Sequence, residues 1–245
     1  MTELTVVMPA YNEGGRIYRN LMETANQLSR ITDSFRIICV DDGSSDETAS
    51  EAKRAAADHP KIGVISYPKN RGKGYAVRRG ILASRSRYTA FLDADLDLPP
   101  FQLDGFLRKM KETDADMVIG SKMHPDSKVE YPFLRRVMSF GYYILMKILF
   151  RLPIRDTQTG CKLFRTDRIK PVLRVSRAKS FSFDIELLAI GAKFGYRIEE
   201  MPVVVNFSRG DRSRSKIRFS SIFTMAVDAL KVKRHVRKVK SLPAE

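Results

Sequence analysis

The sequence predicts an α/β protein: a mostly parallel sheet with helices on both faces, followed by amphipathic helices. Three observations carry this. Short apolar runs recur through the first hundred residues, and each is followed by a polar loop and a helically spaced segment. The runs are apolar at successive positions, as strands covered on both faces are. They also end in acidic residues, at the carboxyl edge where an open parallel sheet binds ligands.

The first strand is Leu4 to Met8. It ends at Pro9-Ala10-Tyr11-Asn12-Glu13-Gly14-Gly15, and a helix follows towards Leu28. The second, Phe35 to Val40, runs into Asp41-Asp42-Gly43-Ser44-Ser45-Asp46, whose Ser or Asp can cap a helix over Glu47 to Ala57. Ile62 to Ser66 is the third strand, and Asn70-Arg71-Gly72-Lys73-Gly74 opens a helix from about Tyr75 to Ser84. The fourth strand, Tyr88 to Leu92, delivers Asp93-Ala94-Asp95-Leu96-Asp97 to the rim. Beyond Ser121 the character changes, with Lys122, His124, Lys128, Arg135 and Arg136 in a segment of little strand pattern. Val137 to Phe150 is apolar and aromatic with basic flanks, which suits a core helix or an in-plane helix at a membrane interface. Ile217 to Val236 is a second amphipathic candidate, followed by a basic tail, with a solvated tail as its alternative.

A length of 245 residues suits one main domain, and the net charge of +16 points to a polyanionic partner: nucleic acid, an anionic membrane or a phosphorylated substrate. No nucleic-acid-binding motif accompanies the charge, so no nucleic-acid partner is expected. Cys39 and Cys161 lie in apolar surroundings without metal or disulfide spacing and read as reduced thiols. The N-terminus lacks the basic lead and apolar core of a signal peptide, and the longest apolar run would span only about 20 Å as a helix, too short to cross a bilayer.

Alone, Asp93-x-Asp95 is better explained by a solvated acidic turn that caps the following helix than by a site. Two carboxylates held close repel, however, and a hard divalent cation relieves the repulsion. Asp41-Asp42-Gly43-Ser44 alone reads as a turn and helix cap. Acids at the ends of successive strands go beyond what capping requires, and Gly72-Lys73-Gly74 beside them offers backbone N–H groups and a cation to a phosphate.

In combination, Pro9-Ala10-Tyr11-Asn12-Glu13, Val40 to Asp46, Asn70 to Gly74, Asp93-Ala94-Asp95, Asp156 to Phe164 and Phe183 to Leu188 resemble the GT-A fold, family 2 glycosyltransferases. The likeness covers about residues 4 to 220 and is greatest to synthases that load a sugar onto dolichyl or polyprenyl phosphate. It implies a Rossmann-like GT-A domain over 1–220, with 221–245 as an amphipathic basic tail. It also implies nucleotide-sugar binding by Pro9, Tyr11, Asn12, Glu13, Asp41, Asp42, Lys73, Asp93, Ala94 and Asp95. Asp93, Asp95 and Asp184 are the implied catalytic residues, and Asp93, Asp95 and Asp97 the implied ligands of Mg²⁺ or Mn²⁺. Lys122, Arg135, Arg209, Arg212 and Lys216 are the candidates for holding the acceptor phosphate. Two departures stand out: Asp97 where mannosyl-type synthases often have Gln, and Ser213 where Gly is common.

The activity implied is inverting transfer of a hexose from a nucleotide sugar to dolichyl or polyprenyl phosphate, with UDP-glucose favoured over GDP-mannose. The expected setting is peripheral, on the cytoplasmic face of an anionic membrane, with a membrane partner subunit as a further candidate contact. A sugar hydroxyl as acceptor would instead need a carboxylate base, Asp156 or Asp184. A basic nucleic-acid-binding protein is the alternative of another class.

Overall fold

The computed structural model describes residues 2–129, 133–152, 154–179, 182–206 and 219–243, with side chains described except at 133–140, 142 and 219–226. Arg209, Arg212 and Lys216 lie outside the described residues, and Arg135 is described as backbone alone.

The chain alternates strand and helix from its start. Strand β1 (Leu4–Ala10), helix α1 (Ile17–Leu28), β2 (Phe35–Asp41), α2 (Thr48–Asp58), β3 (Ile62–Ser66), α3 (Lys73–Ala83) and β4 (Tyr88–Leu92) occupy the first half. After a 3-10 turn at Pro100–Gln102 come α4 (Leu103–Thr113), β5 (Met117–Ser121), α5 (Phe133–Phe150), β6 (Cys161–Arg165), α6 (Thr166–Val175), α7 (Ser182–Lys193), β7 (Ile198–Pro202) and α8 (Phe219–Lys238). The strands form one sheet in the order β3-β2-β1-β4-β6-β5-β7. Strands β3, β2, β1 and β4 are mutually parallel, β6 runs antiparallel to β4 and β5, and β7 is parallel to β5.

Alternation along the strands divides the core into two layers. Val6 and Met8 of β1, with Ile37 and Cys39 of β2, pack under α1, α2 and α4. Val7, Ile38, Val40 and Phe91 face the other way, against α3, α6 and α7. Residues Phe183 to Gly191 of α7 are all buried, which explains why that helix has no polar face. Helix α8 also joins this layer, through Ala229, Val232 and Val236. Cys39 and Cys161 are buried thiols, and burial pushes both up to about 12.

Strand direction assembles the site. The parallel strands β1, β2 and β4 bring Asn12, Asp42 and Asp93 to one edge. Because β6 is reversed, its beginning meets the end of β4, with Cys161 opposite Leu92, so Gly160 reaches the same edge. Strand β5 runs with β4 and delivers Lys122 there as well.

Candidate active site

The first two loops at this edge are locked together by backbone-to-side-chain bonds. Asn12 adopts a left-handed conformation (φ 54°); its N–H donates to Ser44 Oγ at 3.0 Å and its Oδ1 accepts the Ser45 N–H at 3.0 Å. The Glu13 N–H donates to Thr48 Oγ1 at 2.7 Å, while its carboxylate pairs with Arg16. Pro9 sits within β1 opposite Val40, and Tyr11 stands half-exposed at the rim.

Asp41 and Asp42 are both buried. Asp41 accepts from the Ser44 N–H at 3.1 Å and Ser66 Oγ at 2.7 Å. Asp42 accepts from Tyr67 Oη at 2.6 Å, Asn70 Nδ2 at 3.1 Å, and the N–H groups of Arg71 and Gly72 at 2.9 and 2.8 Å. Asp42 therefore organises the loop that starts α3 and carries Lys73. That loop also leans on Lys179, whose carbonyl accepts the Gly74 N–H at 2.9 Å. A Cβ at Gly72, where φ is +93°, would fall 2.5 Å from the same carbonyl oxygen.

Lys73 Nζ lies 2.5 Å from Asp93 Oδ1. Burial pulls the Lys73 ammonium down, but Asp93, with Asp184 and Asp95 behind it, outweighs this and raises it above the usual lysine range. Asp93 is held from the other side by Gly160: its N–H donates to the Gly160 carbonyl at 3.0 Å, and a Cβ at Gly160 would fall 1.9 Å from Asp93 Oδ2. Only glycine leaves room for this carboxylate. Ala94 is fixed through its carbonyl, which accepts Asn20 Nδ2 of α1 at 2.8 Å.

Asp95 is the unbalanced charge of the cluster. Burial, then the neighbouring carboxylates of Asp93 and Asp97, push it up to about 6. Its Oδ1 accepts the Asp97 N–H at 3.1 Å across a turn that puts Leu96 at φ 56°. Among the described residues no three His, Cys, Asp or Glu side chains converge as a ready-made metal cage. The three acids expected at the metal, Asp93, Asp95 and Asp97, follow one another on the loop after β4, with Asp95 turned onto the Asp97 N–H. A site of one or two carboxylates completed by substrate phosphate and water is the usual arrangement for Mg²⁺. The hard oxygen donors and the excess negative charge at Asp95 fit such an ion.

Beneath the acids lies a buried ion pair that sequence reasoning missed. Lys162 of β6 is fully buried and donates to Asp184 Oδ1 at 2.6 Å and to the Thr159 carbonyl at 2.7 Å. Its only sequence signal is a charge set between Cys161 and Leu163 in an apolar strand. The loop before β6 is ordered by Asp156, which accepts from the Lys122 N–H at 3.0 Å, the Gln158 N–H at 2.9 Å and Thr159 Oγ1 at 2.6 Å. Asp156 thus has a structural task. Lys122 keeps its side chain without an ion pair among the described residues, partly exposed beside this loop.

A mostly parallel sheet whose carboxyl edge gathers carboxylates, a lysine at a helix start and tight glycine turns has the form of a ligand-binding edge suited to a charged ligand. The chain belongs to glycosyltransferase family 2, whose sequence model matches residues 5–172. It is 35% identical to a dolichyl-phosphate beta-glucosyltransferase of Dictyostelium discoideum, over 94% of this chain and 73% of that protein. It is 31% identical to the Homo sapiens dolichyl-phosphate beta-glucosyltransferase, over 93% and 74%. In fold it is similar to glucosyl-3-phosphoglycerate synthase from Mycobacterium tuberculosis in complex with Mn²⁺, UDP-glucose and phosphoglyceric acid. The TM-score is 0.69 at 19% identity, covering 98% of this chain and 82% of that one. A mannosyltransferase from Pyrobaculum calidifontis in complex with GDP-Man and Mn²⁺ matches with TM-score 0.64 at 17% identity, over 98% and 66%.

Proposed function

We propose that this glycosyltransferase moves glucose from UDP-glucose to a dolichyl or polyprenyl phosphate, with inversion, at the cytoplasmic face of a membrane. The observation that carries the chemistry is the excess carboxylate charge at Asp93 and Asp95 beside Lys73. The substrates are supported by the dolichyl-phosphate beta-glucosyltransferases to which nearly the whole chain is similar.

Asp93 and Asp95 would hold Mg²⁺ or Mn²⁺, which supplies charge neutralisation to the departing nucleotide diphosphate. The loops of Pro9, Tyr11, Asn12, Glu13, Asp41 and Asp42 bind the nucleoside end. Lys73 adds a fixed cation at the diphosphate, and Asp184 faces the donor sugar. The anomeric carbon–oxygen bond breaks with its electron pair going to the nucleotide, while an acceptor phosphate oxygen bonds to the opposite face. An α-linked donor then gives a β-linked product. A lipid phosphate is already ionised near neutral pH, so positioning cations replace a general base. Lys122, Arg135, Arg209, Arg212 and Lys216 are assigned that task. The hydrogen bonds that occupy Asp156 weigh against its acting as base for a sugar hydroxyl.

Among the described residues no helix is long and apolar enough to cross a membrane. Helix α5 nevertheless exposes Ile144 and Ile148, and α8 exposes Leu230. Beside Leu230, the exposed Lys231, Arg234, Arg237, Lys238 and Lys240 complement an anionic leaflet. The same surface could receive a membrane partner subunit.

The test supplies labelled UDP-glucose or GDP-mannose, with Mg²⁺ or Mn²⁺, to purified protein together with dolichyl phosphate, free dolichol or a soluble oligosaccharide. Glucose transfer to dolichyl phosphate alone is expected. Transfer to the oligosaccharide but not to the lipid phosphate would overturn the reading.

A further inference from the structure

The Lys162–Asp184 pair has a feature that a merely structural ion pair does not need: it shares one aromatic ring with the catalytic-edge pair. Phe91 and Lys162 stand directly opposite in the antiparallel β4–β6 ladder, so their side chains leave the sheet on the same face. Lys162 Nζ sits 4.9 Å from the Phe91 ring centroid and Lys73 Nζ sits 5.6 Å from it. Two ammonium groups therefore flank one ring, each with its own carboxylate: Asp184 for Lys162 and Asp93 for Lys73. Asp184 is also close enough to Lys73 to act on its charge.

We propose that Lys162 is a positioning residue that holds Asp184 off Lys73, so that Asp184 points to the donor sugar while Lys73 stays with Asp93. A buried ammonium is costly unless paired, and Lys162 has a partner on each side of it. Asp184 anchors it to α7, and the Thr159 carbonyl anchors it to the loop whose next residue, Gly160, cradles Asp93. One charge thus ties the helix bearing Asp184 to the loop shaping Asp93. Without it, Lys73 is a cation already within electrostatic reach of Asp184. The carboxylate would turn to that lysine, compete with Asp93 and leave the donor.

This inference deepens the glucosyl-transfer reading and rests on it. The test is a double-mutant cycle of Lys162→Met, Asp184→Asn and the two combined, in the full chain. Thermal unfolding and calorimetric UDP affinity in Mn²⁺ establish that each variant is folded and binds nucleotide. Lys162→Met keeps the length and removes the charge. The double variant leaves no unpaired buried ion, so it remains measurable if Lys162→Met alone is unstable. We expect each single variant to lose about 10²-fold in kcat, as displacement of a substrate-positioning group does. The double variant should be no slower than Asp184→Asn, with UDP affinity retained throughout. Losses that multiply, or a wild-type kcat in Lys162→Met, would overturn the proposal. A wild-type kcat in Asp184→Asn would overturn it too, by leaving nothing to position. Failure of the glucosyl-transfer reading is seen separately, as absence of transfer by the wild-type protein.

Discussion

Replacing Asp95 by Asn should stabilise the metal-free protein while abolishing transfer. In the fold the Asp95 carboxyl is pushed from an ordinary 3.8 up to about 6, by burial first and by Asp93 and Asp97 next. At neutral pH its ionised form is therefore disfavoured in the native state relative to the unfolded chain. A displacement of that size corresponds to about 3 kcal/mol, which partial solvent exposure of the side chain reduces to about 1–2 kcal/mol. For a chain of this length that is a rise of roughly 3–6 °C in Tm. The dependence on pH fixes the cause. A raised acid contributes stability that is complete below 3.8 and lost as pH rises through about 6. The gap between variant and wild type should thus be full at pH 7.5 and close between pH 6 and 4. Asn preserves the acceptor for the Asp97 N–H, so the turn itself is not disturbed. Unfolding followed in a chelator across this pH range is the assay, repeated with Mn²⁺ and UDP, which should stabilise the wild type far more than the variant. An Asp95→Asn protein that is less stable at pH 7.5, or a gap independent of pH, would refute the reasoning.

Gly160→Ala should push a methyl group into Asp93, costing about 1–3 kcal/mol and at least about 10²-fold in kcat. Matched melts and rates at fixed Mn²⁺ check it. Asp42→Ala should strand the Arg71 and Gly72 N–H groups and Tyr67 Oη, destabilising by roughly 3 kcal/mol, and calorimetry should show weaker UDP binding as the Lys73 loop loosens. Arg234, Arg237 and Lys238 changed together to Gln should weaken attachment to anionic vesicles by up to about 10²-fold, near 1 kcal/mol per cation. Co-sedimentation at low and high salt should give a difference that shrinks as salt rises.

The sequence by itself determined the first half of the fold and the acids at its edge. Each of the first four strands is a local signal, an apolar run closed by loop residues, and a parallel sheet built from such units must place every loop after a strand at one edge. Asn12, Asp42, Lys73 and Asp93 could be named for that reason. Tertiary structure alone decided what these side chains touch. The reversal of β6 is a long-range choice with no local mark, and it brings Gly160 against Asp93 and Lys162 over Phe91. Lys162 is a lone charge between Cys161 and Leu163 in sequence, and only the fold shows it buried against Asp184 beneath the acids. Likewise, α8 reads equally well as a solvated tail until Val232 and Val236 are seen in the core. Periodicity in a chain reports which residues prefer to be buried together locally. Which carboxylate faces which cation depends on contacts between residues distant in sequence, and those exist only once the sheet has closed around them.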